Sequence, residues 1–213
     1  MKNILIADDQ SILRQGLKRI LSKNSGFTIV AEAGSIPELR NVLSKVKNVD
    51  VLTLDLSMPG GSGLDALKEI KTNYPELAVL ILSQHSEEQL GLRTFKAGAS
   101  GYLSKFCTPE QLVESVNTIS LGRRFFGKIT EDLIFNELNK KAPLNQVLHN
   151  LLSDRELHVF MQLGQGKSLT QIGKDLSISV KTVGTYRSRI LNKMKMKTNA
   201  QMVEYSLSLS LSL

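Results

Sequence analysis

Short apolar runs, most of them closed by a polar residue, recur through the first 121 residues and alternate with stretches whose apolar positions repeat every three or four residues. The runs predict strands near 3–7, 27–33, 50–54, 77–82 and 100–103, and the stretches between them predict helices near 10–22, 36–46, 63–73, 86–97 and 109–121. Strict alternation of this kind predicts an α/β fold with a doubly wound five-stranded parallel sheet. Ser35 with Glu38, Ser86 with Gln89, and Thr108 with Gln111 behind Pro109 spell capping boxes, in which side chains satisfy the free amides of a helix start.

After Gly122 the pattern changes. One short helix is expected at 129–138, followed by a polar stretch, Lys140-Lys141-Ala142-Pro143, that reads as an interdomain linker. From Leu152 onward the period is helical, with short helices near 154–163, 169–176, 180–195 and 199–208. Ser153 with Glu156 and Ser168 with Gln171 are again capping boxes, Gly164 and Gly166 end the first of these helices, and Ser179 is a good N-cap. The middle pair, joined by Ser177-Ile178-Ser179, is a helix-turn-helix by spacing. The chain therefore divides into 1–121, a connector at 122–149, and a small all-α four-helix domain at 150–213. The alternating Ser-Leu tail at 206–213 is compatible with an extended last helix, an edge strand or a frayed end.

Composition adds a direction. The 213 residues are 41% hydrophobic, enough for two ordinary cores. Lys and Arg balance Asp and Glu at 13 each over 1–121, but outnumber them 14 to 7 over 122–213, so the whole net charge of +7 lies in the second half. That asymmetry points to a polyanion there, with nucleic acid first among them. A single cysteine, Cys107, excludes an internal disulfide and fits a reducing compartment. No apolar run is long enough to span a membrane and no signal peptide is visible, so a cytoplasmic protein is expected. His85, His149 and His158 lack ligand spacing, and Cys107 reads as an unreactive thiol.

The residues that close the strands are the candidate chemistry. Ligand sites of open parallel sheets lie beyond the carboxyl ends of the strands, where this chain places Asp8 and Asp9, Asp55, Ser83 and Lys105. Three close carboxylates repel by about 4 kcal/mol per pair at 4 Å and an effective dielectric of about 20, so a cation must offset them. An all-oxygen donor set suits Mg²⁺, which shares its waters with a phosphoryl oxygen. Asp55 is the best nucleophile toward phosphorus, because it ends a central strand and precedes the Met58-Pro59-Gly60-Gly61-Ser62-Gly63 loop. Lys105 and Ser83 would hold the transferred group. Each residue alone has an ordinary explanation as cap, turn or solvated charge; four independent strand ends supplying these types together do not.

Ile6-Ala7-Asp8-Asp9, Leu54-Asp55-Leu56-Ser57-Met58-Pro59-Gly60, Leu82-Ser83 and the stretch Lys96-Ala97-Gly98-Ala99-Ser100-Gly101-Tyr102-Leu103-Ser104-Lys105 resemble the receiver domain of two-component response regulators. The resemblance implies the flavodoxin-like strand order 2-1-3-4-5. It also implies phosphorylation of Asp55 from a sensor histidine kinase, Mg²⁺ held by Asp8, Asp9 and Asp55, Ser83 and Lys105 on the phosphoryl group, and Tyr102 as the aromatic that moves with Ser83. The face made by the helix after Ser86, the strand at 100–103 and the helix after Pro109 would then either release the DNA-binding domain or pair two receivers. Two positions depart from the family: Phe106 stands where many receivers carry Pro, and Gln84 where a small residue is common.

Ser153-Asp154-Arg155-Glu156, Gly166-Lys167-Ser168, Gln171-Ile172-Gly173, Leu176-Ser177-Ile178-Ser179 and the helix from Thr182-Val183 to Lys193-Met194 resemble a LuxR-type helix-turn-helix, and the whole chain resembles the NarL/FixJ class. On the recognition helix Val183, Tyr186, Ile190 and Met194 recur at helical spacing and should face the core. Lys181, Gly184, Thr185, Ser188 and Asn192 then face the major groove, with Thr182, Arg189 and Lys193 along a phosphate-binding flank, while Arg187 must snorkel outward. Residues 167–197 carry eight basic side chains against one acidic, more than solubility requires. Gly184 and Tyr186 replace a Lys and a His frequent in the family. The expected partners are the kinase, double-stranded promoter DNA, a second copy of the chain as homodimer, and RNA polymerase. An aspartyl-phosphate enzyme of the haloacid-dehalogenase kind is the rival reading, but its Asp-x-Asp pattern after the first strand does not match Asp8-Asp9-Gln10. A receiver that is never phosphorylated and only dimerises is the other.

Overall fold

The computed structural model of the chain describes residues 1–138 and 148–210, which fall into two compact units, 1–135 and 136–213. The first unit is built from β1 (Lys2–Ala7), α1 (Ser11–Leu21), β2 (Phe27–Ala33), α2 (Ile36–Lys45), β3 (Val51–Asp55), α3 (Gly63–Asn73), β4 (Ala78–Ser83), α4 (Glu87–Lys96), β5 (Gly101–Ser104) and α5 (Pro109–Ser120). Its sheet is parallel throughout, in the order β2-β1-β3-β4-β5. Helices on both faces explain why the central strands are continuously apolar rather than alternating: every residue of β3 is buried. On one face Ile4, Ile6, Val51, Leu80 and Leu82 meet Leu17 and Leu21 of α1 and Leu112, Val116 and Ile119 of α5, the last three at helical spacing.

Register aligns the chemistry. Ala7 pairs with Leu54, Asp55 with Leu82, and Ser83 with Ser104, so the carboxyl ends of β1, β3, β4 and β5 finish at one rim. Asp8 and Lys105 are each one residue beyond it.

Local capping follows the expectation in part. Thr108 and Gln111 close both halves of a capping box at α5, while Ser35 accepts from the Glu38 amide but the Glu38 carboxylate turns to Gly34 N at 2.6 Å. The box expected at Ser86 does not form. Its side chain makes no cap bond to α4, and the backbone carbonyl of this turn faces the hydroxyl of Tyr102 instead.

The expected connector at 122–149 divides. Residues through Phe135 belong to the first unit: Phe125 bridges Gly101 in parallel register, and α6 (Lys128–Leu138) follows. The Lys140-Lys141-Ala142-Pro143 stretch lies outside the described residues.

The second unit holds a 3₁₀ turn (Leu148–Leu151) and α7 (Asp154–Gly164), α8 (Leu169–Leu176), α9 (Val180–Lys193) and α10 (Asn199–Ser210). Capping boxes start α7 and α8, and Ser179 caps α9 through the Thr182 amide. Between α8 and α9 Ser177 takes the left-handed conformation, φ 55°. Phe160, Leu163, Ile172, Leu176, Val183, Ile190, Met194 and Met202 form the interior. The Ser-Leu tail extends α10 as far as Ser210, and the rest lies outside the described residues. A helix satisfies its own backbone groups, whereas a strand here would find no sheet among the described residues of this unit to join.

Candidate functional sites

Asp8 and Asp55 are both 1% exposed, Asp9 is open to solvent, and the three offer carboxylate oxygens that lie within 4.8 Å of one another. Lys105 Nζ reaches between the two buried members, 2.7 Å from Asp8 Oδ2 and 2.8 Å from Asp55 Oδ2. The second contact is a directed hydrogen bond, and the first is an ion pair of about the same length, so one ammonium serves both carboxylates. The other oxygens are held by backbone, Asp8 Oδ1 by the Gln10 amide at 2.8 Å and Asp55 Oδ1 by the Ser57 amide at 2.9 Å. An all-oxygen trio with two of its three carboxylates buried fits a small hard cation.

Burial pushes the Asp55 carboxyl upward, against the pull of Lys105 and the Ser57 amide. Burial acts on Lys105 in the opposite sense, but the two carboxylates prevail and keep its ammonium charged above the usual range. The site is thus a buried cation held by buried anions, and removing either side leaves an uncompensated charge.

Ser83 is wholly buried beside this trio and its Oγ accepts from the His85 amide at 3.1 Å. Tyr102, 1% exposed, donates its hydroxyl to the His85 carbonyl at 2.7 Å. Burial, then the charge of Lys105, lowers the His85 imidazole to about 4. Phe106 projects into solvent at 81% exposure, and no peptide among the described residues is cis.

The response regulator receiver domain family matches residues 4–117, and the bacterial regulatory proteins of the luxR family match residues 150–206. Over 212 residues the chain is 34% identical to the oxygen regulatory protein NreC of Staphylococcus epidermidis, covering 96% of each. It is 29% identical over 208 residues to the response regulator UvrY of Escherichia coli, covering 97% of this chain and 94% of that protein. Among solved structures, the RcsB response regulator of Salmonella typhimurium, studied for conformational dynamism in DNA interaction, matches with a TM-score of 0.77 at 25% identity over 98% of this chain and 99% of that one. The chain belongs to the response regulators of the NarL/FixJ class.

In this response regulator α9 divides as its periodicity predicts. Val183, Ile190 and Met194 are at most 2% exposed and Tyr186 is half-buried, while Lys181, Thr185, Ser188, Arg189 and Asn192 are open and Gly184 and Thr182 partly so. Two of the exposed hydroxyls are turned back on the helix: Thr185 Oγ1 donates to the Lys181 carbonyl and Ser188 Oγ to that of Gly184, both at 3.1 Å. Arg187 reaches outward and donates from Nε to Asn199 Oδ1 at 2.6 Å.

Lys193 has a partner within the second unit. Its Nζ donates to Glu156 Oε2 at 2.6 Å, where the same oxygen also takes the Ser153 amide and hydroxyl. Glu156 was legible as a capping residue, but its cation lies 37 residues away, and no local pattern announces such a pair. No helix among the described residues is long and apolar enough to cross a membrane.

Proposed function

We propose that this regulator is switched by Mg²⁺-dependent phosphorylation of Asp55 from a sensor histidine kinase, and that the second unit binds double-stranded promoter DNA through α9. The observation that carries the first part is the 2.8 Å contact between Lys105 Nζ and Asp55 Oδ2 at a rim shared with Asp8 and Asp9. Asp55 is the nucleophile: a carboxylate oxygen bonds to phosphorus as the donor's phosphorus–nitrogen bond breaks, and the electron pair returns to the imidazole. Mg²⁺, held by Asp8, Asp9 and Asp55, would neutralise the carboxylates and the incoming phosphoryl oxygens. Lys105 then turns from carboxylate to phosphoryl group, and Ser83 donates its hydroxyl to it.

Moving a 1:99 equilibrium to 99:1 takes about 5.5 kcal/mol of differential interaction, and one charge-assisted hydrogen bond supplies about 1.5–3. Ser83 and Lys105 together therefore account for most of a complete switch, with Tyr102 following Ser83. On α9, Lys181, Gly184, Thr185, Ser188 and Asn192 face bases and Thr182 and Arg189 face phosphates; Lys193 joins them only by leaving Glu156. Two copies reading half-sites about one helical turn apart would give useful specificity, so a homodimer that meets RNA polymerase at cytoplasmic promoters completes the reading. The functional divide is 1–121, 122–149 and 150–213, with the first part of the connector lying on the receiver.

Incubation with acetyl phosphate and Mg²⁺ tests it. The expected product is an acid-stable, base-labile adduct of one phosphoryl group, absent with chelator and in Asp55→Ala, together with tighter binding of promoter DNA. A full-yield adduct in Asp55→Ala would overturn the assignment.

A further inference from the structure

Tyr102 holds two segments at once. Its hydroxyl donates to the His85 carbonyl in the β4–α4 turn, and its backbone amide donates to the Phe125 carbonyl at 2.9 Å. Phe125 returns a bond from its amide to the Ser100 carbonyl at 3.0 Å, so the chain after α5 lies along the open edge of β5 like a further strand. The fit requires a bare backbone opposite it, since a Cβ on Gly101 would stand 2.8 Å from the Phe125 oxygen. Further out, Arg124 donates to the Ala99 carbonyl at 2.9 Å and lies over the Phe95 ring at 4.6 Å, and Phe95 meets Phe126 edge-on.

The same turn grips the segment a second time. Glu87, the first residue of α4 and two beyond His85, accepts the Gly127 amide at 2.6 Å, one residue before α6 begins. Gly91 of α4 gives α6 its seat, because a Cβ there would collide with Thr130. The α4–β5 side of the face expected to carry the signal is therefore already covered by the chain's own residues 124–130. α6 is continuous from this contact to the boundary between the two units.

We propose that residues 124–130 form a clasp on α4 and β5, and that the switch opens it by moving the β4–α4 turn, so that Glu87 releases Gly127. The trigger rests on the phosphorylation of Asp55 proposed above. Tyr102 is the positioning residue between them, because its hydroxyl bonds the turn and its amide bonds the clasp. Opening frees the start of α6, while Phe125 keeps its place on β5.

Amide hydrogen exchange of the full chain, read residue by residue, tests both parts. Without phosphodonor, Glu87→Ala should speed exchange at Gly127 by about tenfold or more, the loss expected for one bond to a charged acceptor, while the Phe125 amide, held by Ser100, keeps its rate. Arg124→Ala should loosen Phe125 more than Gly127. Wild type phosphorylated with acetyl phosphate and Mg²⁺ should shift Gly127 toward the Glu87→Ala rate, and Tyr102→Phe should blunt that shift. An unchanged Gly127 in Glu87→Ala overturns the latch. A protein that carries the phosphoryl group by mass yet keeps the wild-type Gly127 rate overturns the opening of the clasp alone, whereas one that takes up none overturns the proposed function and the trigger with it.

Discussion

Lys193 Nζ donates to Glu156 Oε2 at 2.6 Å, tying the end of α9 to the first turn of α7. The Glu156 side chain is 4% exposed and that of Lys193 43%. Burial presses the Glu156 carboxyl upward, but the ammonium and the Ser153 cap hold it below the usual range. Lys193→Ala leaves this carboxylate without its cation and should destabilise the second unit by about 1–2 kcal/mol, less than a fully buried pair because the lysine faces solvent. Thermal denaturation of the full chain measures it. Arg189→Ala should leave stability unchanged and lower the salt slope of DNA binding by about one.

Lys105 stands between Asp8 and Asp55 where no other side-chain cation reaches either carboxylate among the described residues. Lys105→Ala should cost about 3 kcal/mol without Mg²⁺, from two buried carboxylates left unpaired. Added Mg²⁺ should restore more stability to this variant than to wild type. At a hundred times its dissociation constant, a bound ion stabilises by about 2.7 kcal/mol. Asp8→Asn should abolish the gain, and chelator should reverse it in wild type. A Mg²⁺ gain unaffected by Asp8→Asn would remove the trio as the metal site.

His85 is neutral when folded, held near 4 against 6.5 for the free group. The folded protein therefore binds fewer protons than the unfolded chain between these values. The stability this confers is complete above pH 6.5, declines as pH falls through the window, and is gone below about 4. Its full size is about 3 kcal/mol at 1.36 kcal/mol per unit. His85→Gln should flatten the loss between pH 6.5 and 4 relative to wild type in urea unfolding; parallel profiles would show that the imidazole is not protected.

Gly184 lies mid-helix in α9, and a Cβ there meets nothing within 4 Å. Gly184→Ala should therefore stabilise the helix by about 0.5–1 kcal/mol. If this face lies against DNA, as proposed, the same methyl should change sequence preference while Tm rises. A fall in Tm would mean the position is packed.

The α/β order, the rim carboxylates and the split of α9 into apolar and polar sides were legible because each is local. A strand's apolar run, a helix's period and a cap three residues away are all set by neighbours along the chain. Thr108, Ser153 and Ser168 formed their boxes for that reason. Ser86 did not, although its backbone takes the same extended N-cap conformation as Ser153, and nothing in the structure explains the difference. The Ser-Leu alternation suited strand and helix equally, and only its continuity with α10 decided the case as far as Ser210.

What the sequence by itself determined is which residue types end the strands and how the positive charge is divided, since both follow from composition and period. What only the tertiary structure decided is who partners whom across the chain: Lys105 with two aspartates, Lys193 with Glu156, and Phe125 with the edge of β5. Those pairings depend on strand register and helix packing, which bring together residues separated by tens of positions. Periodicity along the chain carries no record of that distance.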